Sequence, residues 1–254
     1  MGQLIKSELR KMLFKKGVLI VWVVSLLFGT LLIHNGTVSE VYADVFFKSY
    51  GYTPIMGLVM FMILSGAYTL EYNSNMSDLI NTTKNGKKKT VIAKGIGAGI
   101  AISIVNLSIV TVIYLDGLKK VHFKGLDIPL KNLWYFKGIS STLNVFEMML
   151  IMIGTIIIAS FFFAQLGLYL SSISKSASIP FILGGLIMGV PYILEAVLPS
   201  KFIFMTPLWG MISSQLIKHE VSLSIMIIQG TIFVTGCLIF PRLTYKAFIK
   251  ENKR

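Results

Sequence analysis

The sequence predicts an all-α membrane protein. It has six transmembrane helices, an N-terminal amphipathic interfacial helix, a short helix in the loop between spans 2 and 3, and a re-entrant or interfacial segment between spans 5 and 6. Three observations carry this. First, 54% of the 254 residues are hydrophobic and only 14% charged, against about 25% charged in soluble domains; the mean hydropathy is +0.75. Second, six segments approach the roughly 20 apolar residues that cross about 30 Å of hydrocarbon. Third, the Lys and Arg residues fall mostly on one side of those segments. No long polar stretch interrupts the pattern, so residues 1–254 read as one transmembrane domain. A net charge of +13 would suit nucleic acid in a soluble chain. In this composition it reads as charge at a lipid surface, and no nucleic-acid partner is expected.

The first element is residues 4–14. Ile5, Leu9, Met12 and Leu13 share one helical face, while Lys6, Arg10 and Lys11 point elsewhere. A basic amphipathic helix of this kind lies in the headgroup plane. It serves either as an anchor or as an elbow that also touches a cytoplasmic partner. The spans follow at about 18–35, 54–70, 91–115, 145–170, 179–198 and 221–240. Basic residues before the first would also suit a signal peptide, but no small-x-small cleavage site ends it and five spans follow. Residues 201–217 hold Phe202, Phe204, Leu208, Trp209 and Met211 but are interrupted by Pro207. They read as re-entrant or interfacial, a state tolerated at membrane depth only inside protein. A seventh span there would also carry the basic C-terminus to the opposite side.

Six spans put both termini on one side. Sixteen of the 24 Lys and Arg residues fall there, with only Glu8, Glu71, Asp78 and Glu251 among the acids. The positive-inside rule makes that side the cytoplasm. The expectation is a multi-pass protein of the cell (plasma) membrane with both termini cytoplasmic.

The spans are also informative for what they lack. No charged residue lies near a span centre, and Glu71, Glu147, Glu195 and Glu220 all fall at ends. Ion-coupled carriers usually embed such a residue, and no inverted repeat is visible. His34, His122 and His219 lie far apart with no metal-ligand spacing. Around Asn85-Gly86-Lys87-Lys88 a phosphate loop fails twice, because Lys88 stands where Ser or Thr is required and Asn81 where the first Gly should be. No catalytic residue, cofactor or metal is therefore assigned, and the chain is not read as an enzyme. The single Cys237 reads as a small hydrophobe. Gly95 and Gly99 form a GxxxG in span 3, and Gly185 and Gly189 another in span 5. Both allow close helix approach, within the chain or across a subunit interface. Pro191 should kink or break span 5. Asn106 and Gln165 suit interhelical hydrogen bonds or a wet cavity.

The loop 71–94 reads EYNSNMSDLINTTKNGKKKTVIAK. Ser77 can cap a short helix through Asp78, Leu79 and Ile80, Asn85-Gly86 makes a turn, and Lys87, Lys88 and Lys89 meet the membrane surface. Topology alone accounts for the lysines. It does not account for the ordered segment before them.

Here the chain resembles the ABC-2 type transporter permeases, the membrane subunits of ATP-driven exporters. The resemblance rests on Glu71-Tyr72 closing span 2, Asp78-Leu79-Ile80, Thr82-Thr83, the cluster Lys87-Lys88-Lys89, and Ala93-Lys94 opening span 3. The basic amphipathic start and Leu166–Ser176 fit the same layout, and 199–220 stands where related exporters carry re-entrant helices. Residues 73–76 depart from the pattern, which often has Gly and Thr there. The resemblance implies a permease that pairs with a second permease, identical or homologous, and docks two copies of an ATPase that binds ATP and Mg. The helix around 75–83 would be the coupling helix, with Glu71, Asn75, Asp78, Leu79, Ile80, Thr82 and Thr83 as the contact residues. Resemblance to small peptide-toxin and bacteriocin-immunity exporters makes an amphipathic or hydrophobic peptide the expected cargo. A non-transporting sensor or assembly partner, or an ion-coupled carrier, are the alternatives.

Overall fold

The computed structural model describes residues 1–31, 33–73, 86–195, 197 and 200–251. Among these residues the fold is helical, with no strand beyond an isolated antiparallel bridge between Pro129 and Asn144. Helix α1, Gly2–Leu13, turns by 69° into α2, Lys16–Thr30, because Lys15 between them is extended. Helix α1 buries Met12 and Leu13 and keeps Lys6 and Arg10 exposed, so it is amphipathic. Helix α2 has 15 residues, about 22 Å at 1.5 Å per residue, and ends five residues before the expected limit of span 1.

The sequence reading had no element at 38–51, where the chain forms α3, Val38–Gly51. The Thr37 backbone N–H donates to Glu40 at 2.8 Å in a capping box. This helix buries Tyr42, Val45 and Phe46 against α6 and the turn Trp134–Phe136. Span 2 is α4, Thr53–Leu64, and α5, Thr69–Asn73, separated by a turn at 65–68.

The remaining helices are α6, Gly86–Lys120; α7, Val145–Ile173; α8, Ser178–Glu195; the short α9, Ser200–Ile203, α10, Pro207–Met211, and α11, Ser213–Lys218; and α12, Leu223–Glu251. Helix α8 runs through Pro191 to Glu195 without the break that the proline suggested. Five helices are long and apolar enough to cross a bilayer, and the bent pair α1–α2 makes a sixth if taken together. The chain is thus a multi-helix membrane protein in character.

The core lies between α4, α6 and α7. In span windows of 18 residues, 67% of the α4–α5 window and 61% of the α6 window are buried, but only 22% in α8 and 17% in α12. Lipid is an adequate solvent for those outward apolar faces. Small residues let the central helices approach. A Cβ on Gly99 would sit 2.4 Å from the Phe161 ring of α7, and one on Gly95 would meet Gln165 at 2.8 Å. In α8 the contact is made one residue earlier than the GxxxG pattern indicated. Gly184 faces the Phe61 ring, whereas a Cβ on Gly185 or Gly189 would meet nothing within 4 Å. Among the described residues, those two glycines therefore face no close neighbour. Pattern alone finds the glycines, but the rotation of the helix decides which faces protein.

Candidate functional site

The described end of the 71–94 loop sits over a buried charge cluster, built from a break in span 2. Leu64 ends α4, Ser65 is extended, and Gly66 takes φ +77, a left-handed conformation that costs other residues energy. Breaking a helix frees backbone carbonyls that lipid cannot satisfy. Three side chains from elsewhere in the chain take them up, along with a freed amide. Lys15 Nζ donates to the Ile63 and Ser65 carbonyls at 2.8 and 2.9 Å. Lys94 Nζ donates to Ala67 O at 3.0 Å. The Tyr68 N–H donates to Ser171 Oγ at 3.1 Å.

Lys94 is also the centre of an ion triad. Its ammonium lies 2.8 Å from Glu8 Oε2 of α1 and 2.8 Å from Glu71 Oε1 of α5. With Ala67 O these acceptors use all three ammonium protons. The Lys94 and Glu8 side chains are 3% exposed and Glu71 12%, so water screens them little. Lys11 adds a second cation to Glu8 at 2.9 Å. Burial pushes the Glu8 carboxyl up, but the Lys94 charge and hydrogen bond, with Lys11, outweigh it and hold the group below its ordinary value. Burial, with Lys94 nearby, pushes Lys15 down to about 8.

Helix α1 reaches Lys94 because Gly97 lets it approach. A Cβ there would sit 3.3 Å from Ile5 O and Leu9 N. Tyr72 OH donates to Ser172 O at 3.2 Å, and the Tyr68 and Tyr72 rings pack at a tilt against Phe248 of α12. Lys94 lies 5.3 Å from the Tyr68 ring centre and Lys87 5.7 Å from that of Phe248, both within cation–π range. Helices α1, α5, α6, α7 and α12 therefore converge where the loop leaves span 2. A cavity of about 410 Å³ opens there, lined by Glu8, Lys11, Lys15, Gly66, Glu71 and Lys94 among others.

Of the residues expected to contact an ATPase, Glu71 is the one described; Asn75, Asp78, Leu79, Ile80, Thr82 and Thr83 lie outside the described residues. Lys6, Arg10, Lys88 and Lys89 are exposed. Asn106 of α6 bridges to Ser160 of α7 at 3.2 Å, an interhelical hydrogen bond. Sequence reasoning missed Glu8 and Lys15 and saw in Lys94 only a motif position. The Glu8 signal was legible: it lies three residues after Ile5 and four before Met12, on the apolar stripe of α1. An acid there needs a partner.

The opposite end is held by aromatic rings. Tyr50 donates to Glu195 at 2.8 Å and stacks on Trp209 at 5.6 Å, and Tyr192 donates to Tyr50 O at 3.0 Å. Gln229 of α12 donates to the Phe204 carbonyl. The short helices of 200–218 are thereby tied to α3, α8 and α12, with Trp209 fully buried. Among the described residues no group of three or more His, Cys, Asp or Glu could hold a metal ion. Compared with family models and with curated proteins, the chain matches none.

Proposed function

We propose that this chain is the membrane-spanning permease subunit of an ATP-driven exporter of the ABC-2 type. It works with two copies of a separate ATPase and with a second permease, and it moves an amphipathic or hydrophobic substrate such as a peptide toxin or antimicrobial peptide. The observation that supports this reading is the stitched break in span 2. The loop 74–85 leaves from α5, a one-turn lever joined to α4 through Gly66. The lever is attached by Glu71 to Lys94 on span 3, and by Lys94 to Glu8 on the amphipathic helix.

A force on the loop therefore reaches the interfacial helix and two spans together. Pivoting at Gly66 costs less than bending a continuous helix, because the carbonyls there are held by flexible lysine side chains rather than by helix hydrogen bonds. Nucleotide-driven closure of the ATPase pair supplies the force in this reading, and the inward-facing cavity between two permeases changes sides.

The test is affinity capture of the tagged chain from its own membranes, with ATP-dependent export measured in vesicles. A stoichiometric ATPase and its loss on replacing Asp78, Leu79 and Ile80 by Gly and Ser are expected. Normal docking and export in that variant reject the coupling assignment. A chain that purifies and functions without any ATPase rejects the exporter reading.

A further inference from the structure

At the end of the bundle opposite the ion triad, a cavity of about 520 Å³ opens between α2, α3 and α4. The size is within the roughly 300–1,000 Å³ typical of small-molecule sites. Its walls are mostly apolar: Phe28 of α2, Phe47 of α3, Ile55 of α4 and Trp134, each at least a third exposed. Two further wall residues are Lys48 and Tyr52, which are 8% and 4% exposed. The Lys48 ammonium and the Tyr52 hydroxyl are both buried without a hydrogen-bond partner among the described residues.

Native structures rarely leave such groups unpaired, and a buried ammonium without a directly paired counter-ion is especially unfavourable. Neither nearby carboxylate pairs directly with Lys48: Asp44, which with His34 also lines the cavity, and Asp116, whose Oδ2 has no hydrogen-bond partner among the described residues, act on it only at a distance. Asp44 pairs with His34 at 3.3 Å, and Asp116 lies 3.8 Å from Lys120. Burial accordingly pushes Lys48 down to about 8, with Asp116 and Asp44 opposing and Lys120 reinforcing that shift. What Lys48 and Tyr52 lack is a hydrogen-bond acceptor, and the apolar walls suit one that carries an apolar body.

We propose that the cavity holds the anionic head of an acyl-chain lipid, its phosphate or carboxylate oxygens on Lys48 Nζ and Tyr52 OH and its chain along Phe28 and Ile55. The lysine stem is flexible enough to bring its ammonium to an oxygen at the cavity wall. A shallow aromatic-walled recess with two donors at its base suits a headgroup and its first methylenes, and Phe28 and Ile55 lead from it onto the lipid-facing surfaces of spans 1 and 2. This site is independent of the exporter reading and of any ATPase.

Trp134 in the wall provides the readout. The purified chain in neutral detergent is titrated with brominated-acyl phosphatidylglycerol, with brominated-acyl phosphatidylcholine, and with inorganic phosphate alone, following tryptophan quenching. Saturable quenching by the phosphatidylglycerol at lower concentration than by the phosphatidylcholine is expected. Trp134→Phe should remove it, Lys48→Met should weaken it by about tenfold, the scale of a charge-assisted hydrogen bond, and Lys48→Arg should retain most of it. Tyr52→Phe, which deletes a single oxygen, should weaken it several-fold and serves if the Lys48 variants do not fold. Equal quenching by the two lipids, or no change in Lys48→Met and Tyr52→Phe, overturns the proposal. So does phosphate that blocks lipid quenching at the lipid's own concentration, which would mark a free-phosphate site.

Discussion

Replacing Lys94 by Met removes the cation that Glu8 and Glu71 share while keeping the side chain's length and apolar stem. Both carboxylates are then left beside each other with little water, since their side chains are 3% and 12% exposed, and Ala67 O loses its donor. Breaking one buried pair costs about 3–5 kcal/mol. At about 2–4 °C per kcal/mol for a chain of this size, the apparent melting temperature should fall by roughly 6–20 °C. The informative comparison is with Glu8→Gln. Once Glu8 is uncharged, losing Lys94 takes that cation from one carboxylate rather than two, so the double variant should be less damaged than the sum of the singles, with a coupling of about 0.5–3 kcal/mol. The assay is thermal unfolding in lipid nanodiscs of the wild type, both single variants and the double. Backbone hydrogen exchange should also rise selectively in α1 of Lys94→Met. A Lys94→Met protein that melts within about 2 °C of wild type, or two substitutions that simply add, would refute the triad as the clamp on α1.

Gly66→Ala forces a side chain into φ +77 and should cost about 1–2 kcal/mol, read from the same melts. Gly99→Ala should destabilise by about 1–3 kcal/mol, because its methyl would meet the Phe161 ring at 2.4 Å. Gly185→Ala should be neutral or stabilising by up to about 1 kcal/mol, since nothing lies within 4 Å; equal losses at both sites would contradict the helix rotations described. Acid should loosen α1. The folded Glu8 carboxyl is held below its ordinary 4.5, so its contribution is complete above that pH and is lost as pH falls through the lowered value. The melting temperature of wild type should therefore drop more steeply below about pH 4.5 than that of Glu8→Gln, whose side chain does not titrate.

The membrane character of this chain was legible before any coordinates, because crossing a bilayer requires a length of apolar sequence that local composition reports directly. The long helices at 86–120, 145–173 and 223–251 fall on segments read as spans, although those at 86–120 and 223–251 run on into flanking charged stretches. Such extension depends on packing beyond the apolar stretch, which hydropathy does not sense. Helix α3 escaped notice for a related reason. Its pattern mixes Glu40, Asp44 and Lys48 with Tyr42, Val45 and Phe46, too polar for a span, and its burial comes from α6 and the Trp134–Phe136 turn.

The sequence alone determined that the chain is a membrane protein in character and where its long apolar stretches and its polar loop lie, since each follows from residues adjacent along the chain. Only the tertiary structure decided that span 2 is broken at Gly66, that Gly184 rather than Gly185 faces protein, and that Glu8, Glu71 and Lys94 meet. The partners Glu8 and Lys94 are 86 residues apart. Whether a buried charge is a liability or a clamp depends on its counter-charge, and no local pattern records which distant side chain supplies it.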